Sequence, residues 1–133
     1  MIVEYNALFG DVAPVSVPYS AEFDRREPAY HNMYYGAGLA AFQHLIGGHG
    51  YSLVGCNTAG NNAFFVRSDR LGDVPARTVA EAYRPRRFVE HRGVDGTLTG
   101  TADGGRQLQD IQRLPLIDVT HRRALTVAEI LPA

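Results

Sequence analysis

Lysine is absent from this chain, and all 13 basic residues are arginine. At most solvated sites either cation would serve, so the bias reads as the base composition of a GC-rich genome rather than as a functional device. Cysteine is nearly absent, and a lone Cys56 excludes an intramolecular disulfide. Neither an apolar run of about 18 residues nor a charged-then-apolar leader occurs, so a cytoplasmic location away from membranes is expected. No charge sign dominates, with 13 basic against 14 acidic residues, which removes the electrostatic case for nucleic acid. His31, His44, His49, His91 and His121 form no ligand spacing with one another or with Cys56, so no metal is expected. Cys56 has no sequence neighbour to make it a thiolate and reads as a buried strand residue. No Gly-x-Ser-x-Gly or Cys-His signature supports acyl transfer. The absence with the largest consequence is that of any glycine-rich loop able to cradle a phosphate or nucleoside.

What is present fits one domain spanning residues 1–133, with 45% apolar and 20% charged residues, ordinary for a globular chain. Ile2 to Tyr5 is an apolar run suited to a buried strand and ended by Asn6. Ala7 to Tyr34 holds Pro14, Pro18 and Pro28 and no sustained period, a length of loop that is usually functional or interfacial. Leu39, Phe42, Leu45 and Ile46 share a helical face, which predicts a helix over Ala37 to Ile46 with Gly47-Gly48 as its left-handed cap. Tyr51 to Cys56 and Ala63 to Arg67 read as paired strands around Asn57 to Asn62, a stretch rich in residues that tolerate positive φ. Thr78 and Glu81 have capping-box spacing before a helix that Pro85 must end. Phe88 to His91 and Thr97 to Thr99 suggest a second hairpin. Leu108, Ile111 and Leu114 suggest a short helix stopped by Pro115, with late strands at Leu116 to Val119 and Leu125 to Ile130.

The segments MIVEYN, YYGAGLAAFQHL and YSLVGCNTAGNNAFFVR together resemble the C-terminal half of class I methyltransferase-like proteins, most closely the bacterial FkbM-like ones. Gly38 stands where those proteins more often have Ser. The resemblance covers residues 1–67 well and residues 68–133 loosely, implying an α/β Rossmann-like half-sheet followed by an α+β extension. In that family the cofactor sits on a glycine-rich turn and an acidic residue in the N-terminal half. Neither motif occurs here, so no S-adenosylmethionine binding is expected of this chain alone. The implied sheet order leaves Ile2 to Asn6 with one naked edge, and an apolar strand with unpaired backbone is a liability unless another chain covers it. A second chain supplying the N-terminal half, contacted through Ile2 and Val3, is the expected partner, with self-pairing into a homodimer as the competitor.

In open α/β sheets ligands bind at the carboxyl ends of parallel strands, which points to Glu4, Tyr5 and Asn6 and to the loop Asn57 to Asn62. Glu4 is a candidate base and Asn6 a positioning group, although both residue types also serve structural ends. Asn57, Asn61 and Asn62 offer paired donors and acceptors for substrate, or simply make a tight turn. Tyr34 and Tyr35 could line a pocket or pack. Arg84, Arg86 and Arg87 form the densest basic cluster, either a solvated face or a contact for a partner or an acidic carrier protein. The resemblance extends in plan to two-component cyclases that close aziridine-containing azabicyclic amino acids by displacing sulfate on a substrate held by an amino-group carrier protein. It therefore implies the small subunit of such an enzyme. A split methyltransferase subunit and a non-catalytic stabilising half-domain are the alternatives.

Overall fold

The described residues form, in chain order, β1 (Ile2–Glu4), β2 (Val15–Ser16), α1 (Leu39–Gly48), β3 (Tyr51–Cys56), β4 (Asn62–Arg67), α2 (Val79–Ala82), β5 (Glu90–Arg92), β6 (Leu98–Thr101), β7 (Pro115–Asp118) and β8 (Arg123–Thr126). They are seen in a computed structural model that describes residues 1–87, 90–101 and 108–131. Phe88 and Val89, placed in a strand by the sequence pattern, lie outside the described residues. The fold is mixed α/β with small sheets, ordered β1-β4-β3, β2-β7-β8 and β5-β6. All strand pairings among the described residues are antiparallel. β1 and β3 share a direction only because β4 runs antiparallel between them.

The first sheet alternates strictly in β4. Ala63 and Phe65 are buried, while Phe64 and Val66 on the opposite face are half-buried and Ile2, opposite Phe64, is 66% exposed. The inner face packs with Tyr5, Ala7, Leu39, Ile46, Leu53 and Ala82 into one core, because α1 and α2 both lie on that side. Among the described residues β1 has β4 as its one strand neighbour. Val3 pairs with Ala63 in that ladder, and Tyr5 N–H donates to the Asn61 carbonyl at 2.9 Å. By the alternation of antiparallel ladders, the Ile2 and Glu4 backbone groups then point to the open edge.

The second core is built from both halves of the chain. Phe9, Val15, Met33 and Tyr34 come from the long irregular stretch, and Leu108, Ile111, Leu116, Leu125 and Val127 from the C-terminal third. Ala7 to Tyr34 is thus a core-forming segment rather than a surface drape, pinned by 3-10 turns at Ala7–Phe9 and Pro28–Tyr30. A division of the chain at residue 67 separates no core, since residues 108–127 close over residues 9–34. β2 joins the two parts. One edge pairs with β7, while on the other Gly38 N–H donates to the Val15 carbonyl (2.9 Å) and Val17 N–H to the Gly36 carbonyl (2.8 Å).

Several boundaries differ from the sequence reading. α1 begins at Leu39 behind Gly38, an extended N-cap without a side-chain cap, where glycine is only a few tenths of a kcal/mol worse than serine. Gly47 and Gly48 stay helical, and the left-handed turn falls on Gly50 (φ 79°). Leu45 is 57% exposed although it fits the apolar stripe. α2 has the expected capping box and ends at Ala82, with Tyr83 as its C-cap. Val127–Ile130 form a 3-10 turn, not a strand, because Thr126 and Glu129 make a second capping box. Residues 108–110 are helical and the chain then turns into β7.

Candidate functional site

The carboxyl end of β1 lies against the loop that leaves β3, where Tyr5 N–H donates to the Asn61 carbonyl. Asn57 shapes the loop between β3 and β4. Its Oδ1 accepts from the N–H groups of Asn61 (3.1 Å) and Asn62 (3.0 Å), and its Nδ2 donates to Asn61 Oδ1 (2.7 Å). The amide groups read as substrate ligands are therefore turned into their own loop, which corrects the expectation for Asn57 and for the Asn61 oxygen. Asn62 sits opposite Glu4 in the β1–β4 register, on the sheet's outer face.

Asn6 is completely buried. Its Nδ2 donates to the carbonyls of Met33 (2.8 Å) and Tyr35 (3.1 Å), and its Oδ1 accepts from Leu8 N–H (3.1 Å). With its amide committed to the main chain, Asn6 holds the scaffold and has nothing left for a substrate. Glu4 is exposed at the end of β1. Tyr34 is a core residue, its hydroxyl donating to the Pro115 carbonyl and its ring tilted against Tyr30 at 4.9 Å. Burial pushes its phenol up to about 12, so it stays protonated at neutral pH.

The arginine cluster, remote in sequence, lies across this rim. Tyr5 Oη donates to the Arg84 carbonyl (2.8 Å), and Arg87 N–H donates to the Ala59 carbonyl (3.2 Å). Gly60, at φ 72°, lies so close beneath that a Cβ would stand 2.2 Å from the Pro85 oxygen. The three guanidinium groups then part company. Arg84 donates to the carbonyls of Glu81 (3.1 Å) and Tyr83 (2.7 Å) and so caps the end of α2 while staying exposed. Arg87 is exposed. Arg86 is half-buried and donates to Tyr35 Oη.

Tyr35 receives a second cation that the sequence pattern did not single out. The Arg25 guanidinium carbon stands 3.8 Å over the Tyr35 ring centroid and that of Arg86 stands 5.7 Å from it. Arg25 is oriented by Nε donating to Asn32 Oδ1 at 3.0 Å. Among the described residues neither guanidinium has a carboxylate within ion-pairing distance. Two half-buried positive charges thus share one aromatic ring with no carboxylate partner among the described residues, an arrangement that favours an anion.

Compared with known proteins, the chain matches no family model, no curated protein and no solved structure. Its function has to be argued from this geometry.

Cys56 closes the inner wall of the same region. Burial pushes its thiol up, against the pull of the Tyr5 hydroxyl and the Arg84 charge. Burial likewise pushes the Tyr5 phenol up, with a smaller push from the Cys56 thiol. Both shifts favour the protonated form at neutral pH. No helix among the described residues is long and apolar enough to cross a membrane.

Proposed function

We propose that this chain is the small subunit of a two-component enzyme built on a methyltransferase-like sheet, in which a second chain adds a strand to the open edge of β1 and covers the outer face of the sheet. The observation that carries this reading is the one-sided construction of the β1-β4-β3 sheet. Both helices lie on one face, while Ile2 beside Phe64 leaves apolar surface on the other. A free strand edge next to a half-covered apolar face is an arrangement that chains complete by pairing.

The rim then sits at the join of the two chains. Arg25 and Arg86 would hold an anionic group of the substrate, and Glu4, desolvated by the partner, would act as base. In the ring closure suggested by the family resemblance, an amine nitrogen attacks the carbon bearing a sulfate ester. The C–O bond breaks, sulfate leaves with the electron pair, and the base takes the nitrogen's proton. Such a step needs alignment, a base and donors for the leaving anion. Arg87, exposed on the same strap, is a basic contact for an acidic carrier protein.

The reading is tested on the pair formed with the product of the neighbouring gene. Glu4→Gln should lower turnover on the order of a hundredfold while assembly is kept. Wild-type turnover in that variant would remove Glu4 from the mechanism. S-adenosylmethionine dependence of the pair would instead favour a split methyltransferase, and full activity of the partner alone would favour a stabilising subunit.

A further inference from the structure

His31, His91 and Asp110 are far apart in sequence, yet each brings one ligand atom within 4.8 Å of those of the other two. The absence of a linear metal pattern concealed this group, because its members come from three separate segments. How the rings are held gives the cluster its meaning. His31 Nδ1 lies 2.9 Å from the Arg92 carbonyl oxygen, a contact that requires the proton on that nitrogen. His91 Nδ1 contacts Thr99 Oγ1, whose hydroxyl proton is directed to the His91 carbonyl at 3.1 Å. The hydroxyl therefore accepts from His91. Both Nδ1 atoms are spent as donors, so Nε2 is the nitrogen each ring has left for an ion; in the ion-free chain His91 Nε2 instead donates a proton to Asp110 Oδ2, and an ion would displace that proton. Histidines that bind metals are oriented in this way, with the second nitrogen donating to a fixed oxygen. His91 Nε2 lies 2.9 Å from Asp110 Oδ2, and the two imidazoles stack at 5.2 Å with 13° between planes.

We propose that His31, His91 and Asp110 form a site for one zinc-type divalent transition ion that clasps the β5–β6 hairpin to the body of the protein. Two imidazole nitrogens and one carboxylate oxygen are a donor set suited to such an ion, with water as the fourth ligand. Ligand atoms of a tetrahedral site stand about 3.3 Å apart, so from separations of up to 4.8 Å the two half-buried histidines and the exposed Asp110 must draw together to close the cluster. The hollow beside it, lined by His31, Asn32 and Arg92 among others, measures about 60 Å³.

The hairpin has need of a clasp. Val94 is 70% and Leu98 63% exposed, so it buries little apolar surface, and a two-stranded hairpin without a core is marginal. Its main-chain tie to the body at this point is the Arg92 N–H to His31 carbonyl contact of 3.4 Å. An ion shared by the Pro28–Tyr30 turn, β5 and the segment after residue 107 would fix all three.

Cobalt(II) is the probe, added to the chelator-treated full chain. The expected result is a visible d–d absorption of tetrahedral cobalt that saturates at one equivalent and is displaced by zinc. Asp110→Asn alters an exposed side chain and should keep the fold by circular dichroism while weakening cobalt binding more than tenfold. His91→Gln should do the same. Thr99→Val keeps every ligand atom and should weaken binding about tenfold through the lost orientation of His91. His121→Ala, elsewhere on the surface, should leave binding unchanged. Absence of the bands in the wild-type chain, or bands unaltered in Asp110→Asn and His91→Gln, would overturn the site and leave His91 and Asp110 as a simple ion pair.

Discussion

Asn6 ends β1 with three hydrogen bonds from one buried amide, to Met33, Tyr35 and Leu8, and so fixes the start of the chain against the segment that carries Tyr35. Its replacement by alanine would strand two buried carbonyls and one N–H, each costing about 1–3 kcal/mol when unsatisfied. We expect Asn6→Ala to lose about 3 kcal/mol in urea unfolding; a loss below about 0.5 kcal/mol would show that the amide carries no structural weight. Asp118 gives a prediction in pH. The His121 and Thr120 N–H groups and the His121 ring hold its carboxylate down to about 2 from an ordinary 3.8. A depressed carboxylate contributes stability that is present above its unfolded value and lost as pH falls through its folded value. Asp118→Asn should therefore melt lower than wild type at pH 7, and the gap should close between about pH 4 and pH 2. A gap independent of pH would mean that packing, not charge, sets the effect.

At the scale of elements, the loop of Asn57 to Asn62 and the arginine strap above it behave as one unit. Gly60 and Gly50 both have positive φ, but only Gly60 has main chain where a Cβ would go. Gly50→Ala should cost about 1 kcal/mol, the price of the left-handed conformation alone. Gly60→Ala should cost at least twice that, because Pro85 must move and take with it the Tyr5 contact to Arg84. Equal losses in the two variants would show that the strap gives way freely. The strands around this loop were legible in the sequence because β4 alternates buried and half-buried residues and its turn is dense in Asn and Gly. The capping box at Thr78 and Glu81 was legible for the same kind of reason, two groups satisfying each other within one turn. Ala7 to Tyr34 was not, since its buried residues Phe9, Val15, Met33 and Tyr34 follow no period and find their partners beyond residue 107. The candidate site was half legible. The sequence located the rim, but not that Asn6 and Asn57 are consumed by their own backbone. Arg25 was missed because its partner Tyr35 lies ten residues away across an irregular segment, and the His31, His91 and Asp110 cluster because folding alone brings it together.

For the whole molecule, one core joins β1, β3, β4 and both helices, and the other ties the two ends of the chain together through β2. The sheet of the first core is covered on one face and open along β1, and it is this open side that we assign to a partner. Glu4 offers a selective probe of it. Its backbone N–H points away from β4, so proline at this position removes only the outward donor, as natural edge strands tolerate. The decisive measurement is size-exclusion chromatography of the chain co-expressed with the product of the neighbouring gene, wild type against Glu4→Pro. The account predicts a one-to-one complex for wild type and, for Glu4→Pro, a folded chain that no longer co-elutes. A wild-type monomer that ignores its neighbour, or a Glu4→Pro chain that assembles as well as wild type, would contradict it.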